Sequence, residues 1–400
     1  METVKAKPVK FESIGFALKS NIRQYAMLIA LIVIMLFFQI ATNGILLVPM
    51  NVTNLILQNS YVLILAIGMT LCILTGGNID LSVGSVAAFI SAIVGTLIIR
   101  QKVDVTVSIV IGLIIGAVIG LWQGFWIAYV RIPAFIVTLA GMLMFRGLTN
   151  TILKGLTLSP FPKSFQMISS GYIPDLFPFF GSSFNLTPIV VSVILSIILL
   201  YFQIKKRRNK IKNETELIPR SLFVTQILFT LVAINLFAYA LAAYKGIPII
   251  LVILGVLIGA YHFFTTKTVP GRYIYAMGGN EKAAKLSGIN TNKVLFFVYL
   301  NMSVLAALAG IAFSARTDSA FPLLGTNFEL DAIAACFIGG ASATGGIGSV
   351  VGTIIGALVM GVLNNGMSIM GIGIDWQMTI KGFVLLMAVA FDVYSKNKAK

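Results

Sequence analysis

Apolar residues in this chain come in long runs separated by short polar stretches. From Tyr25 the chain stays apolar with little interruption to about Met50. Eleven further stretches approach the roughly 20 residues that a helix needs to cross a bilayer. The twelve segments are 25–47, 54–75, 83–99, 105–129, 134–153, 187–204, 222–243, 247–265, 294–315, 328–344, 347–363 and 377–393. Two of them, 83–99 and 328–344, are short and are candidates for re-entrant or broken helices. The expectation is an all-α polytopic membrane protein of ten to twelve spans. Its layout reads as an N-terminal cytoplasmic segment over 1–24, a transmembrane domain over 25–393 and a cytoplasmic tail over 394–400. The first run is longer than the roughly 7–15-residue core of a signal peptide and no small-residue cleavage site follows it. It therefore reads as an uncleaved first span with its N-terminus inside.

Composition removes the alternatives. Hydrophobic residues make up 58% and charged residues 10%, against about 25% charged in a soluble domain. A soluble enzyme, a disordered chain and a disulfide scaffold are all excluded. The net charge of +16 does not point to nucleic acid, because of where the cations lie. With the N-terminus inside, inner segments carry 21 Lys and Arg and outer segments six, as the positive-inside rule requires for an even number of spans. Two inner segments stand out, a basic loop at 205–220 and a second loop at 267–293. The basic loop suits anionic membrane lipid. Cys72, Cys336 and the single His262 all lie in apolar runs. They leave no metal motif, no disulfide framework and little scope for a His-dependent triad. No GxxxxGKS/T loop is present, so ATP is not bound here by that route.

Polar groups inside apolar territory are the functional candidates, since charge within a bilayer is costly. From Tyr25 to Ile99 the only charge is Asp80, within TGGNIDLSVGS at Thr75–Ser85. Gly76 and Gly77 can break a helix, Asn78 and Asp80 supply polar groups, and Ser82 can cap the helix that restarts. One reading is a discontinuous helix of the kind that lines transporter sites; the other is a short cytoplasmic turn. Arg146, Glu329, Asp331 and Lys381 are further charged candidates within apolar territory. Glu329 and Asp331, two residues apart, could serve general acid–base work; the structural reading is that they favour the dipole at the start of a helix or that one of them pairs with Arg146 or Lys381. Trp122, Gln123 and Trp126 on one span, and Asn364, Asn365 and Gln377 at the outer ends of the last two, offer the aromatic faces and amides that suit a sugar pathway; the tryptophans also suit an interfacial belt. Gly112, Gly116, Gly120 and Gly124 recur every four residues, as do Gly348, Gly352 and Gly356. Such strips let helix backbones approach closely. Their recurrence in both halves, with the loose likeness of Gly76–Ser85 to Gly345–Gly352, hints at an internal repeat.

The inner segment GRYIYAMGGNEKAAKLSGIN at Gly271–Asn290 resembles the cytoplasmic loop of permease subunits in bacterial sugar-importing ABC transporters. NIDLSVGS at Asn78–Ser85, IPAFIVTLAGMLMFRG at Ile132–Gly147, FELDAIAACFIGGASATGGIGSVVG at Phe328–Gly352 and NNGMSIMGIGIDWQMTIKG at Asn364–Gly382 resemble the same family. In order and spacing they cover most of the chain. The additional stretch around 187–243 looks like the longer subgroup that handles D-xylose and, in its multiple-monosaccharide branch, L-arabinose and D-galactose. The resemblance implies a non-catalytic permease in the bacterial inner membrane, paired as a homodimer. It implies a cytoplasmic ATP-binding subunit with tandem ATPase domains, where ATP and Mg would bind, and an extracytoplasmic sugar-binding protein. It also implies that Asn280, Glu281, Ala283, Ala284, Leu286, Ser287, Gly288 and Ile289 form a coupling helix on the ATPase. Ala283, Ala284, Leu286 and Ile289 have the spacing of one apolar face, and Gly288 and Asn290 would end the helix. Such a turn can lie in a partner's groove or on the membrane surface. Two other classes compete. A secondary, ion-coupled sugar transporter would depend on Asp80 and Glu329, and a membrane enzyme would need a catalytic cluster that the chain does not offer.

Overall fold

The computed structural model describes residues 22–177, 184–212 and 219–397. Among them are fifteen α-helices and no strand. In chain order they are α1 Ile22–Ala41, α2 Pro49–Leu74, α3 Val83–Gly95 (continued to Arg100 by a wider π turn), α4 Val105–Ala128, α5 Ala134–Leu153, α6 Lys163–Ser170, α7 Thr187–Lys212, α8 Arg220–Ala242, α9 Ile249–Lys267, α10 Val269–Gly279, α11 Glu281–Leu286, α12 Thr291–Thr317, α13 Phe328–Ile338, α14 Val350–Ile369 and α15 Ile374–Asn397. Nine of these are long and apolar enough to cross a membrane. The chain is an all-α polytopic membrane protein of the inner membrane.

Every one of the twelve apolar segments contains a helix, but one falls far short of its expected length. The segment 328–344 forms only α13, eleven residues or about 16 Å of rise, roughly half a hydrocarbon core. Gly339, Gly340, Gly345 and Gly346 follow it, three of them with positive φ, a backbone region that excludes most side chains. The helix cannot continue through them. The basic segment expected as a loop at 205–220 is helical as far as Lys212, and Arg220 already begins α8. The N-terminal segment lies outside the described residues up to position 21, and α15 runs into the expected tail as far as Asn397.

The chain divides into two compact units. In the smaller one, α7 and α8 pair, with Asn235 accepting from the Ser192 hydroxyl at 3.1 Å and donating to Ser196 Oγ at 3.1 Å. Most of the side chains on these two helices are exposed, which suits a hairpin clothed in lipid. In the larger unit α2 from Val62 to Leu74 is buried on every side, as expected of a helix that is apolar all round. The broadest packing joins α4 to α12. Gly116 faces Ala307, Gly120 lies against the backbone of Leu300, and Gly124 faces the backbone of Phe296. The glycine strip of α4 is therefore a helix-packing seam. The second strip is not one helix face. Gly348 lies in the turn before α14, at φ +152°, while Gly352 and Gly356 lie on the helix, against Gly339 and Ala335 of the α13 end.

Candidate functional site

Two discontinuous helices meet by their N-termini. Between α2 and α3 the chain is non-helical from Thr75 to Ser82, because Gly76 and Gly77 take φ of +122° and +77°. Helix α3 restarts at Val83, and its Gly84 lies against Gly325, in the loop that leads into α13. A Cβ on Gly84 would fall 2.1 Å from the Gly325 carbonyl oxygen and 2.5 Å from a carboxylate oxygen of Glu329. Only two backbones without side chains can approach in this way. Glu329 and Asp331 occupy the first turn of α13, where its partial positive charge favours them. Arg146 on α5 donates to the carbonyls of Pro322 (3.1 Å) and Leu324 (2.6 Å). It holds the irregular loop in place and, among the described residues, bonds no carboxylate directly.

Asp80 is fully buried at this junction. Its loop is covered by protein on all sides at that residue. Its Oδ1 accepts from the backbone N–H and the hydroxyl of Ser82, at 2.8 and 2.7 Å. Ser82 stands at the N-cap of α3 but does not cap it with its side chain; the hydroxyl is committed to Asp80. Gln123 of α4, also fully buried, donates to the same hydroxyl at 2.7 Å. A three-member chain of Asp80, Ser82 and Gln123 thus links the loop between α2 and α3 to α4. Asn78, half-buried, donates to Thr75 Oγ1 at 3.1 Å. Asp80 Oδ2 and Gln123 Oε1 have no hydrogen-bond partner among the described residues.

The tryptophans do not join this group. Trp122 packs edge-on to Phe145 and Trp126 edge-on to Phe125. The amides of α14 and α15 are separate again. Asn365 donates to Gln58 of α2 at 3.3 Å, Asn364 keeps a buried oxygen unpaired, and Gln377 bonds Ser368 and the Ile372 carbonyl. Nearby on α13, Asp331 receives Lys381 at 2.9 Å and the Tyr61 hydroxyl at 3.0 Å.

The segment at 267–293 folds as α10 and α11. Pro270 in the first turn of α10 is compatible with the free N–H positions there, and Thr268 caps it through Gly271 N. Asn280 caps α11, accepting from Ala283 N at 3.0 Å. Gly288 ends it with φ +84°. Asn290 does not end it; its side chain accepts from Lys293 N and so begins α12. The expected single apolar face divides in two. Ala284 is buried and Ile289 half-buried, whereas Ala283 and Leu286 point outward, Leu286 with 91% of its surface exposed. Ser287 is exposed at the C-cap. Arg131, in the turn between α4 and α5, clamps this segment. It bonds Glu281 at 2.7 Å, Thr291 at 3.1 Å and the side-chain oxygen of Asn292.

Behind α11 the end of α10 touches both interrupted stretches. A Cβ on Gly278 would fall 1.7 Å from the Leu74 carbonyl oxygen and 2.5 Å from Gly346 N, two atoms that are hydrogen-bonded to each other at 3.0 Å. Gly345 lies on Gly76, and Gly77 on the Ala343 carbonyl. The two glycine-rich stretches with loosely similar sequences are thus in direct contact. Tyr275 donates to the Gly348 carbonyl at 3.0 Å; burial pushes its phenol pKa up, which keeps the donor protonated. Arg131, Tyr61, Gln58 and Tyr275 were not singled out by sequence reasoning. Their partners lie far away along the chain, and no local pattern marks them.

A family model described as the permease component of branched-chain amino acid transport systems matches residues 51–389. The chain is 40% identical over 384 residues to the xylose transport system permease protein of Haemophilus influenzae, covering 96% of this chain and 100% of that one. The corresponding Escherichia coli K12 protein is 37% identical over 389 residues, 96% of each chain. The ribose import permease protein of E. coli K12 is 36% identical over 344 residues, 86% of this chain and 85% of the other. No solved structure gives a match.

Proposed function

The chain belongs to the family of branched-chain amino acid transport system permease components, and from that premise we propose that it is the membrane-spanning subunit of an ATP-driven importer of a monosaccharide such as D-xylose. The observation that carries the substrate class is the likeness to xylose permeases over 96% of the chain. ATP is hydrolysed by a separate cytoplasmic subunit with tandem ATPase domains. A sugar-binding protein delivers substrate from outside, and two copies of the permease form the gate.

The division of α11 into two faces supports the coupling role. Ala284 anchors the short helix to its own chain, while Leu286 stands free for a partner's groove. Asn280 and Gly288 fix its ends. Arg131 ties it to the α4–α5 turn, so a push on α11 is carried to α4 and with it to Gln123 and Asp80. The sugar passes close to the meeting point of α3 and α13. There the irregular backbone is buried in protein and two helix N-termini converge, as at the broken helices of other transport proteins.

The test is uptake of labelled D-xylose into proteoliposomes that hold the permease, its ATPase and its binding protein. Uptake that requires ATP and persists with the proton and sodium gradients collapsed supports the reading. Uphill uptake by the permease alone, or uptake lost with the gradients while ATP remains, overturns it in favour of a secondary transporter.

A further inference from the structure

We propose that Gly278 and Tyr275 are positioning residues that carry movement of the coupling segment directly into the two interrupted stretches, through contacts behind α11. The proposal rests on the reading that α11 meets an ATPase, and goes beyond it by naming the joint.

The joint is made of backbone. Leu74 is the last residue of α2, and its carbonyl accepts from Gly346 N at 3.0 Å. That single bond ties the start of one interrupted stretch to the end of the other. Gly278 presses on the bond from the α10 side, with its missing Cβ 1.7 Å from the Leu74 oxygen. Gly346 takes φ +72° and lies against the backbone of Gly278 and Gly279. From Gly76 the first stretch continues to Asp80 and Ser82. From Gly345 the second leads back to α13, at whose far end lies Gly325. Tyr275, one turn before Gly278, holds the Gly348 carbonyl. Displacement of α10 therefore cannot leave either stretch in place. Backbone in direct contact, with no side chain between, does not absorb motion by changing rotamer. Arg131 provides a separate route from the same segment to α4, but through a flexible side chain whose ion pair with Glu281 is exposed.

Neighbouring Gly279 supplies the control. A Cβ there meets nothing within 4 Å, although it shares the composition and helix end of Gly278. Purified complexes of permease, ATPase and binding protein carrying Gly278→Ala, Tyr275→Phe or Gly279→Ala are compared in proteoliposomes for sugar imported per ATP hydrolysed. Tyr275→Phe removes one hydroxyl and adds no bulk, so it keeps the test open if Gly278→Ala fails to assemble. The expected result is a fall of about 5-fold or more in the ratio for Tyr275→Phe and for any Gly278→Ala complex that assembles, with ATP hydrolysis retained. Gly279→Ala should match the wild type. An unchanged ratio in Tyr275→Phe, or an equal loss in Gly279→Ala, overturns the joint. Absence of ATP-driven uptake in the wild-type complex overturns instead the reading beneath it.

Discussion

Lys381 of α15 and Asp331 of α13 form an ion pair with Nζ 2.9 Å from Oδ1, the carboxylate 6% and the amine 20% exposed. Tyr61 completes the carboxylate from α2 by donating to Oδ2 at 3.0 Å. Removing one partner of a buried pair leaves an uncompensated charge, at a cost of about 3–5 kcal/mol. Lys381→Met should therefore lower the melting temperature of the purified permease sharply. Lys381→Met combined with Asp331→Leu should recover most of the loss, since apolar replacement of both partners is often neutral. A double variant as unstable as the single one would show that the pair is not what holds α15 to α13.

Leu286→Asp tests the outward face of α11. The side chain is 91% exposed and contributes little to the permease's own fold, so the variant should reach the membrane in normal amounts with an unchanged melting temperature. Its complex with the ATPase should weaken, and uptake should fall by about tenfold or more, as for loss of a central apolar anchor worth about 1–2 kcal/mol or more at an interface. Wild-type uptake in that variant would remove α11 from the coupling role.

Where sequence spacing and burial agreed, the reading was direct. The isolation of Asp80 between two apolar runs is visible in the chain because charge there has no local explanation, and the structure buries that residue entirely. The four-residue period of Gly112 to Gly124 likewise translates into one helix face. Gly348 broke the same inference, since a period of four says nothing about whether the positions are helical; a positive φ removed it from α14. Ser82, at the expected N-cap but with its hydroxyl bonded elsewhere, and Asn290, which begins α12, differ for a related reason. Both sit at helix boundaries, where one side chain has several backbone and side-chain partners within reach, and only the tertiary neighbour decides. The pairing of Tyr61 with Asp331, 270 positions apart, has no local signature at all. Neither does the clamp of Arg131, which reads as one more inner cation until its partners are seen.

The packing seam of α4 makes a clean comparison. Gly120→Ala would place a methyl 2.7 Å from the Leu300 Cα and 2.8 Å from its carbonyl oxygen, so α4 and α12 must separate. Gly147→Ala, on α5, meets nothing within 4 Å and gains up to about 1 kcal/mol of helix propensity. Thermal unfolding in one detergent should show Gly120→Ala below the wild type and Gly147→Ala at or above it. Equal melting temperatures would mean that the seam yields without cost.

Asn235 tests the α7–α8 hairpin in isolation from the transport machinery. It bonds the hydroxyls of both Ser192 and Ser196 across the pair. Interhelical polar bonds in membranes are worth about 0.6–2 kcal/mol. Asn235→Leu should lower stability by about that amount and raise proteolytic cleavage near 205–220, while sugar imported per ATP stays at the wild-type value. A change in that ratio would show that the hairpin takes part in transport.

Arg131 is the second route from α11, and its chemistry allows a rescue. Its contact with Glu281 is exposed, 40% and 44% for the two side chains, and such a pair contributes at most about 1 kcal/mol to stability. Arg131→Glu should therefore leave the melting temperature nearly unchanged. It should nevertheless lower sugar imported per ATP, because repulsion from Glu281 releases α11 from the α4–α5 turn. Reversing the pair, with Arg131→Glu and Glu281→Arg together, restores the attraction but not the bonds that Arg131 makes to Thr291 and Asn292. Recovery should accordingly be partial, and it should shrink at high salt, where exposed charges are screened. A single variant with the wild-type ratio would mean that the stroke reaches α4 without Arg131, and full recovery in the reversed pair would mean that Thr291 and Asn292 take no part in the clamp.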